Sequence, residues 1–271
     1  MSVLEAFFLG LVQGLTEFLP ISSSGHLVLA QEWLGVHVDD ITFEVFVHFG
    51  TLLAVLIFFK RDVLNMVSAV LGWIKNIPSS GAYFKANPEF RMAVFIMIGS
   101  VPAAIAGLFF ADLYEKAYAL PFLVSCMLVV TGVVLLGTQW ASTKHNSVKS
   151  KDAIMMGIAQ ALAIMPGISR SGSTIGVGMF MGLEKYEAAR FSFLLSLPAI
   201  MGATLMKIAG LLENPLAFDQ VLPIFIGTVT AFASGYLAIR FLLDLIRRGK
   251  FSYFAYYCFA VGILGIILFG M

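Results

Sequence analysis

Charge is what this chain has least of. Asp, Glu, Lys and Arg make up 12% of its 271 residues against 59% hydrophobic, and the mean hydropathy is +0.92. A water-soluble domain of this size could hardly carry that much apolar surface, so the composition predicts lipid as the solvent. The formal net charge of +1 identifies no partner, and no nucleic acid is expected. Cysteine is equally scarce: Cys126 and Cys258 sit alone in different apolar stretches, where thiols fill space more often than they bind metal or carry redox chemistry. A basic n-region and a small-residue cleavage site are also missing after Met1, so a removable signal peptide is not expected.

Long apolar runs, by contrast, are abundant. A hydrocarbon core about 30 Å thick needs roughly 20 apolar residues per spanning helix. Six stretches qualify: Phe43 to Phe59, Met92 to Phe110, Pro121 to Gln139, Ala188 to Ala209, Val221 to Leu243 and Tyr253 to Phe269. Two further apolar regions, 3–36 and 153–185, are each interrupted by a polar run, Pro20-Ile-Ser-Ser-Ser-Gly-His26 and Pro166-Gly-Ile-Ser-Arg-Ser-Gly-Ser-Thr174. The helix before the first break would rise about 24 Å and the stretch after it about 15 Å, so neither crosses comfortably. Irregular backbone at membrane depth is tolerated only inside protein or beside a water-filled cavity, which predicts two re-entrant helical hairpins with meeting tips.

The halves also match one another. One constant register pairs Gly10 with Gly157, Gln13 with Gln160, Ser22 with Ser169, Ser24 with Ser171 and Gly25 with Gly172. A second, shorter register pairs Ile98-Gly99 with Ile226-Gly227. The predicted fold is therefore an all-α polytopic membrane protein, a single membrane domain over 1–271. Repeat one covers 1–140 and repeat two 152–271, each a hairpin plus three spans. An odd number of crossings inverts the second copy. With the N-terminus outside, the inner segments collect most Lys and Arg, from Lys60 and Arg61 to Arg248 and Lys250, which places both termini in the periplasm.

Opposed broken helices aim their N-termini at a bound anion near the midplane, and the Ser, Gly and Thr of each break offer the hydroxyls and close N–H groups that phosphate needs. Ser-Gly breaks also serve simply as turns; the ionisable residues favour function. Arg170 is expensive at membrane depth unless it is paired, and its planar fork suits phosphate or carboxylate. Glu17 sits one turn before the first break, on the face of Gln13. Its bland reading is a buried ion pair with Arg170 that locks the hairpins together. In the sharp reading Ser23 attacks a terminal phosphorus and His26 takes its proton. Arg170, Ser169, Ser171, Thr174 and the helix N-termini then hold the oxygens, with Ser22 beside them. Glu17, with Gln13, would orient His26 or hold a divalent cation, Mg2+ or Ca2+. Direct attack by water fits equally. Glu44 and His48, four apart, either line the cavity mouth or form a helix-end pair, and His37 and His145 read as solvated loop residues.

These motifs resemble the bacterial undecaprenyl-diphosphate phosphatases associated with bacitracin resistance. Gln13-Gly-Leu-Thr-Glu17-Phe-Leu-Pro20-Ile-Ser-Ser-Ser-Gly-His26 is similar to that family's first signature, Pro166 to Thr174 to its second, and the likeness extends to the segments at Phe43 and Phe191. The resemblance implies removal of the terminal phosphate of undecaprenyl diphosphate with divalent-cation dependence. It implies Glu17, Ser23, His26 and Arg170 at the reaction and Ser22, Ser169 and Thr174 on phosphate. Where some members carry Glu this chain has Gln13, one carboxylate fewer than a two-carboxylate metal site needs. The expected partners are the polyprenyl diphosphate lipid and membrane lipid, the sequence allows a homodimer, and the expected place is the bacterial inner membrane with the site open to the periplasm. The alternative is a transporter or flippase of such a lipid, which the same architecture would serve without chemistry.

Overall fold

The computed structural model describes residues 1–34, 42–75, 77, 80–213 and 218–270; the predicted end of the first hairpin at 35–36 and His37 lie outside them. Among the described residues the regular structure is all helical, apart from one isolated bridge between His145 and Leu183. The helices are α1 (Val3–Phe18), α2 (Ser23–Leu34), α3 (Thr42–Phe58), α4 (Lys60–Ile74), α5 (Ser80–Ala86), α6 (Pro88–Phe109), α7 (Ala111–Tyr118), α8 (Pro121–Gly137), α9 (Ser150–Leu162), α10 (Arg170–Phe180), α11 (Lys185–Glu213), α12 (Phe218–Arg247) and α13 (Phe254–Phe269).

Both interrupted regions break where expected. α1 opens on a capping box, with Ser2 Oγ accepting from Glu5 N at 3.3 Å and Glu5 Oε2 from Ser2 N at 2.8 Å, and stops before Pro20. α9 ends at Leu162, and α10 begins only at Arg170, after Pro166 and Gly167. Among the described residues, five helices are long and apolar enough to cross a bilayer, and α3 with α4 gives a sixth only as a pair bent by 80°. That bend departs from the sequence reading, which ended the span at Phe59 and left an inner loop. Lys60, Arg61 and Asp62 start a new helix because they prefer water, whereas Leu64, Val67, Leu71 and Ile74 give it an exposed apolar stripe. His145 also differs: its Nε2 lies 2.8 Å from Asp152 Oδ2, which accepts the Lys149 N–H at 2.8 Å, so the residue is a clamp between α9 and its entry loop.

Glycines set the closest helix approaches. A Cβ on Gly10 would lie 2.4 Å from the Gly227 carbonyl oxygen, and one on its register-mate Gly157 2.2 Å from that of Gly99, the register-mate of Gly227. α1 thus seats on α12 and α9 on α6 through backbone contact that only small residues permit. Phe18 and Phe193, edge to face with centroids 5.5 Å apart, fill the core between α1 and α11. The breaks themselves touch. A Cβ on Gly25 would lie 3.2 Å from Gly167 Cα, and Ser171 Oγ donates to the Leu19 carbonyl at 3.1 Å.

Candidate active site

Each break ends in the same cap. Ser22 Oγ accepts from Gly25 N at 3.2 Å and lies 3.3 Å from Ser24 Oγ; Ser169 Oγ accepts from Gly172 N at 3.0 Å and lies 3.2 Å from Ser171 Oγ. Serine at the N-cap satisfies N–H groups that the first turn leaves unpaired. The backbones differ. Ser22 sits in the left-handed region at φ 67, a conformation costing on the order of 1 kcal/mol for a non-glycine residue, whereas Ser169 is at φ −70 and the turn falls on Gly167 at φ +90. The Ser22 carbonyl is held by His26, whose N–H donates at 3.1 Å and whose Nδ1 lies 2.8 Å away.

Glu17 is the centre of the arrangement. It is 7% exposed, and its Oε2 accepts from Ser23 Oγ at 2.5 Å and from Gln13 Nε2 at 2.9 Å. Its Oε1 accepts from Arg170 Nη2, so the ion pair between the hairpins is real. His48 Nε2 stands 3.6 Å from Oε2. Arg170 keeps Nη1 buried with no hydrogen-bond partner among the described residues, a donor free for a ligand oxygen. Glu17, Ser22, Ser23, Ser24, Ser169 and Arg170 line one cavity of about 170 Å³, shared with His48, Tyr118 and the apolar Ala163, Ile164, Ile168 and Ile200. It offers a carboxylate beside a hydroxyl, a guanidinium on the far side, and an apolar wall.

Three expectations change. A carbonyl only accepts, so His26 Nδ1 donates to Ser22, and in the neutral ring Nε2 accepts from Tyr257 OH at 2.8 Å; the two rings stack with centroids 5.6 Å apart. Both ring nitrogens are engaged away from Ser23, and the group that accepts from the Ser23 hydroxyl is the Glu17 carboxylate. Thr174 turns inward, its Oγ1 bonded to the Arg170 carbonyl at 2.8 Å and to Ser192 Oγ at 2.5 Å, and Ser171 holds the Leu19 carbonyl. These two hydroxyls shape the break rather than line the cavity. Gln13 donates its Nε2 hydrogen to Glu17, while its Oε1 is buried with no hydrogen-bond partner among the described residues.

His48 lines the cavity, as one of its two sequence readings had it, whereas Tyr118 was missed. The four-residue spacing of Glu44 and His48 was the signal for the first; Tyr118 gave none, because α7 reads as loop. The Tyr118 and Ser24 side chains line the same cavity. Burial pushes the Tyr118 ionisation well above the ordinary tyrosine value, and the Glu44 and Glu17 carboxylates add to this, so it is a neutral donor. Thr131 of α8 braces the second break, donating to the Gly167 carbonyl at 2.9 Å and accepting from Ser169 N at 2.9 Å. Cys258 of α13 holds the first, its thiol 3.6 Å from the Pro20 carbonyl.

Fold and site together define a helical polytopic membrane protein closed around a buried glutamate that holds a half-buried serine and arginine. The chain belongs to the bacitracin resistance protein BacA family, whose model matches residues 6–264. It is 43% identical over 274 residues to an undecaprenyl-diphosphatase of Halothermothrix orenii, covering 100% of both chains. It is 44% identical to one of Salinibacter ruber, over 97% of this chain and 98% of that one, and 40% identical to one of Methanobrevibacter smithii, over 97% and 96%.

Proposed function

We propose that the chain hydrolyses undecaprenyl diphosphate to undecaprenyl phosphate and inorganic phosphate, recycling the carrier lipid for cell-wall synthesis and so conferring bacitracin resistance. Membership of the BacA family and full-length relatives named undecaprenyl-diphosphatase support the substrate. The observation that carries the chemistry is Glu17, with the Ser23 hydroxyl on one oxygen and Arg170 on the other, at the wall of a cavity.

In this reading Ser23 Oγ attacks the terminal phosphorus and its proton passes to Glu17 Oε2, the atom to which it already donates. The bond from that phosphorus to the bridging oxygen breaks, Glu17 returns the proton to the departing lipid phosphate, and the phosphoryl group stays on Ser23. Water then attacks the phosphoserine while Glu17 takes its proton and delivers it to Ser23 as inorganic phosphate leaves. Arg170 Nη1 and the N–H groups at the starts of α2 and α10 stabilise the charge on the transferring oxygens. Water attacking directly, with Glu17 as base, uses the same contacts; Ser23→Ala retains turnover only on that route.

For a divalent cation, Mg2+ or Ca2+, the donor set supplies one cavity carboxylate, Glu17, which already accepts from Arg170, Ser23 and Gln13. No group of three His, Cys, Asp or Glu side chains placed to hold a metal occurs among the described residues. A cation on Glu17 would draw its other ligands from diphosphate oxygens and water, as magnesium commonly does, and would neutralise charge on the leaving phosphate.

The halves 1–140 and 152–271 are read as inverted repeats in the bacterial inner membrane, with both termini and the cavity mouth on the periplasmic side. The crosswise contacts of register-matched glycines, Gly10 on Gly227 and Gly157 on Gly99, support the repeat. A homodimer belongs to this reading as an expectation that the mass in detergent tests.

The deciding measurement is phosphate release from a prenyl diphosphate by detergent-purified protein, with Ser23→Ala and Arg170→Ala beside the wild type. Release by the wild type, lost in Arg170→Ala, is expected. If the wild type releases none while the lipid crosses vesicle membranes, the transport reading replaces this one.

A further inference from the structure

We propose that Tyr118 is a substrate-contact residue: with Ser24 it forms the subsite for the phosphoryl group that remains on the lipid. This rests on the hydrolase reading above and extends it. The polar groups of the cavity divide by what already holds them. Ser22 and Ser169 cap helices, taking the Gly25 and Gly172 N–H groups, and the Ser23 hydroxyl donates to Glu17. Arg170 Nη1 faces the phosphoryl group that reacts. Two further hydroxyls line the cavity: Ser24, next to the nucleophile and 3.3 Å from Ser22 Oγ, and Tyr118 of α7.

A diphosphate joins its two phosphorus atoms through a single oxygen, so a reacting group beside Ser23 brings the retained one within reach of that neighbour. The subsite is neutral. Hydrogen bonds from ionised donors are roughly twice as strong as neutral ones, so a second arginine there would hold the monophosphate product as firmly as the substrate, whereas a phenol and a serine orient the group and let it go. Tyr118 also belongs to a feature that the second half lacks: α6 breaks at Phe110 into α7, whereas α12, its register-mate, runs unbroken to Arg247.

Full-length protein in detergent, assayed with a prenyl diphosphate, tests this with Tyr118→Phe, which removes only the hydroxyl. The expected result is a KM raised about 10- to 100-fold, the worth of one hydrogen bond to a charged group, with kcat changed less than about 2-fold. Inhibition by the corresponding prenyl monophosphate weakens by a similar factor, because the retained phosphoryl group is common to both molecules. Ser24→Ala gives the same pattern, and the double variant is less than additive. A purely structural role for Tyr118 would instead lower the unfolding temperature and kcat while leaving monophosphate inhibition unchanged. Unchanged KM and unchanged monophosphate inhibition in both single variants overturn the proposal while wild-type activity stands. Absence of phosphate release from the wild type overturns the hydrolase reading beneath it.

Discussion

The two breaks share one backbone device and differ in nearly every residue that can do chemistry. Serine caps, glycine contacts and the hydroxyl pairs Ser22 with Ser24 and Ser169 with Ser171 recur in register. At the positions between and around them the register sets Ser23 against Arg170, His26 against Ser173 and Glu17 against Ile164. On the hydrolase reading a repeated backbone cradle becomes one asymmetric site: the first break supplies hydroxyl and carboxylate, the second the guanidinium, and Ser23 and Arg170 meet on Glu17. What repeats is the part that fixes backbone N–H groups; what diverges is the part that the hydrolase reading asks to react.

That division predicts where damage falls hardest. Arg170→Ala removes the transition-state cation and leaves Glu17 buried without its partner, so kcat/KM for a prenyl diphosphate falls about 10³-fold or more. Glu17→Gln acts similarly through the loss of the base, with phosphate release as the measure of both. His26→Ala, which removes a ring that holds the Ser22 carbonyl and stacks on Tyr257, lowers the rate by only about 10-fold. A loss with His26→Ala as large as with Glu17→Gln would return the base to His26 and break the comparison.

Much of this was legible because the signals were local. Each break announces itself by Pro, Ser and Gly inside an apolar run, and the pairing of Glu17 with Arg170 follows from the cost of a lone charge at membrane depth. The rest depended on contacts between distant segments. His26 sits four residues from Ser22 and faces Tyr257 across the fold, a partner 231 positions away that no spacing rule could supply. Thr174 looked like a phosphate ligand from its place in the motif, but Ser192 of α11 takes its hydroxyl. The 80° bend into α4 was hidden because composition ends a span at its first charges without saying whether the helix turns or stops.

The glycine contacts sharpen the comparison at the level of packing. Gly10→Ala drives a methyl toward the Gly227 carbonyl and Gly157→Ala drives one toward the Gly99 carbonyl, at 2.4 and 2.2 Å respectively. Backbone on both sides leaves little to yield, so each substitution destabilises by about 1–3 kcal/mol, with matching drops in unfolding temperature in detergent. A large drop at one position and none at the other would mean that the halves do not share their seating.

The braces behind the breaks give the smallest and most asymmetric effect. Thr131 both donates to the Gly167 carbonyl and accepts from Ser169 N, so Thr131→Val strands two buried backbone groups and costs about 1–3 kcal/mol. Cys258 offers the Pro20 carbonyl only a weak thiol contact at 3.6 Å, and Cys258→Ala costs less than about 1 kcal/mol, mostly through lost packing. The break that carries Arg170 is therefore the more firmly tied, as it should be if the cation must wait in place for the phosphate, whereas the first break is held chiefly by His26 and by its contact with the second. Unfolding midpoints of the two variants, compared with their phosphate-release rates, separate bracing from chemistry. Thr131→Val should lose stability and rate together because Arg170 starts the helix that it braces, and Cys258→Ala should lose little of either.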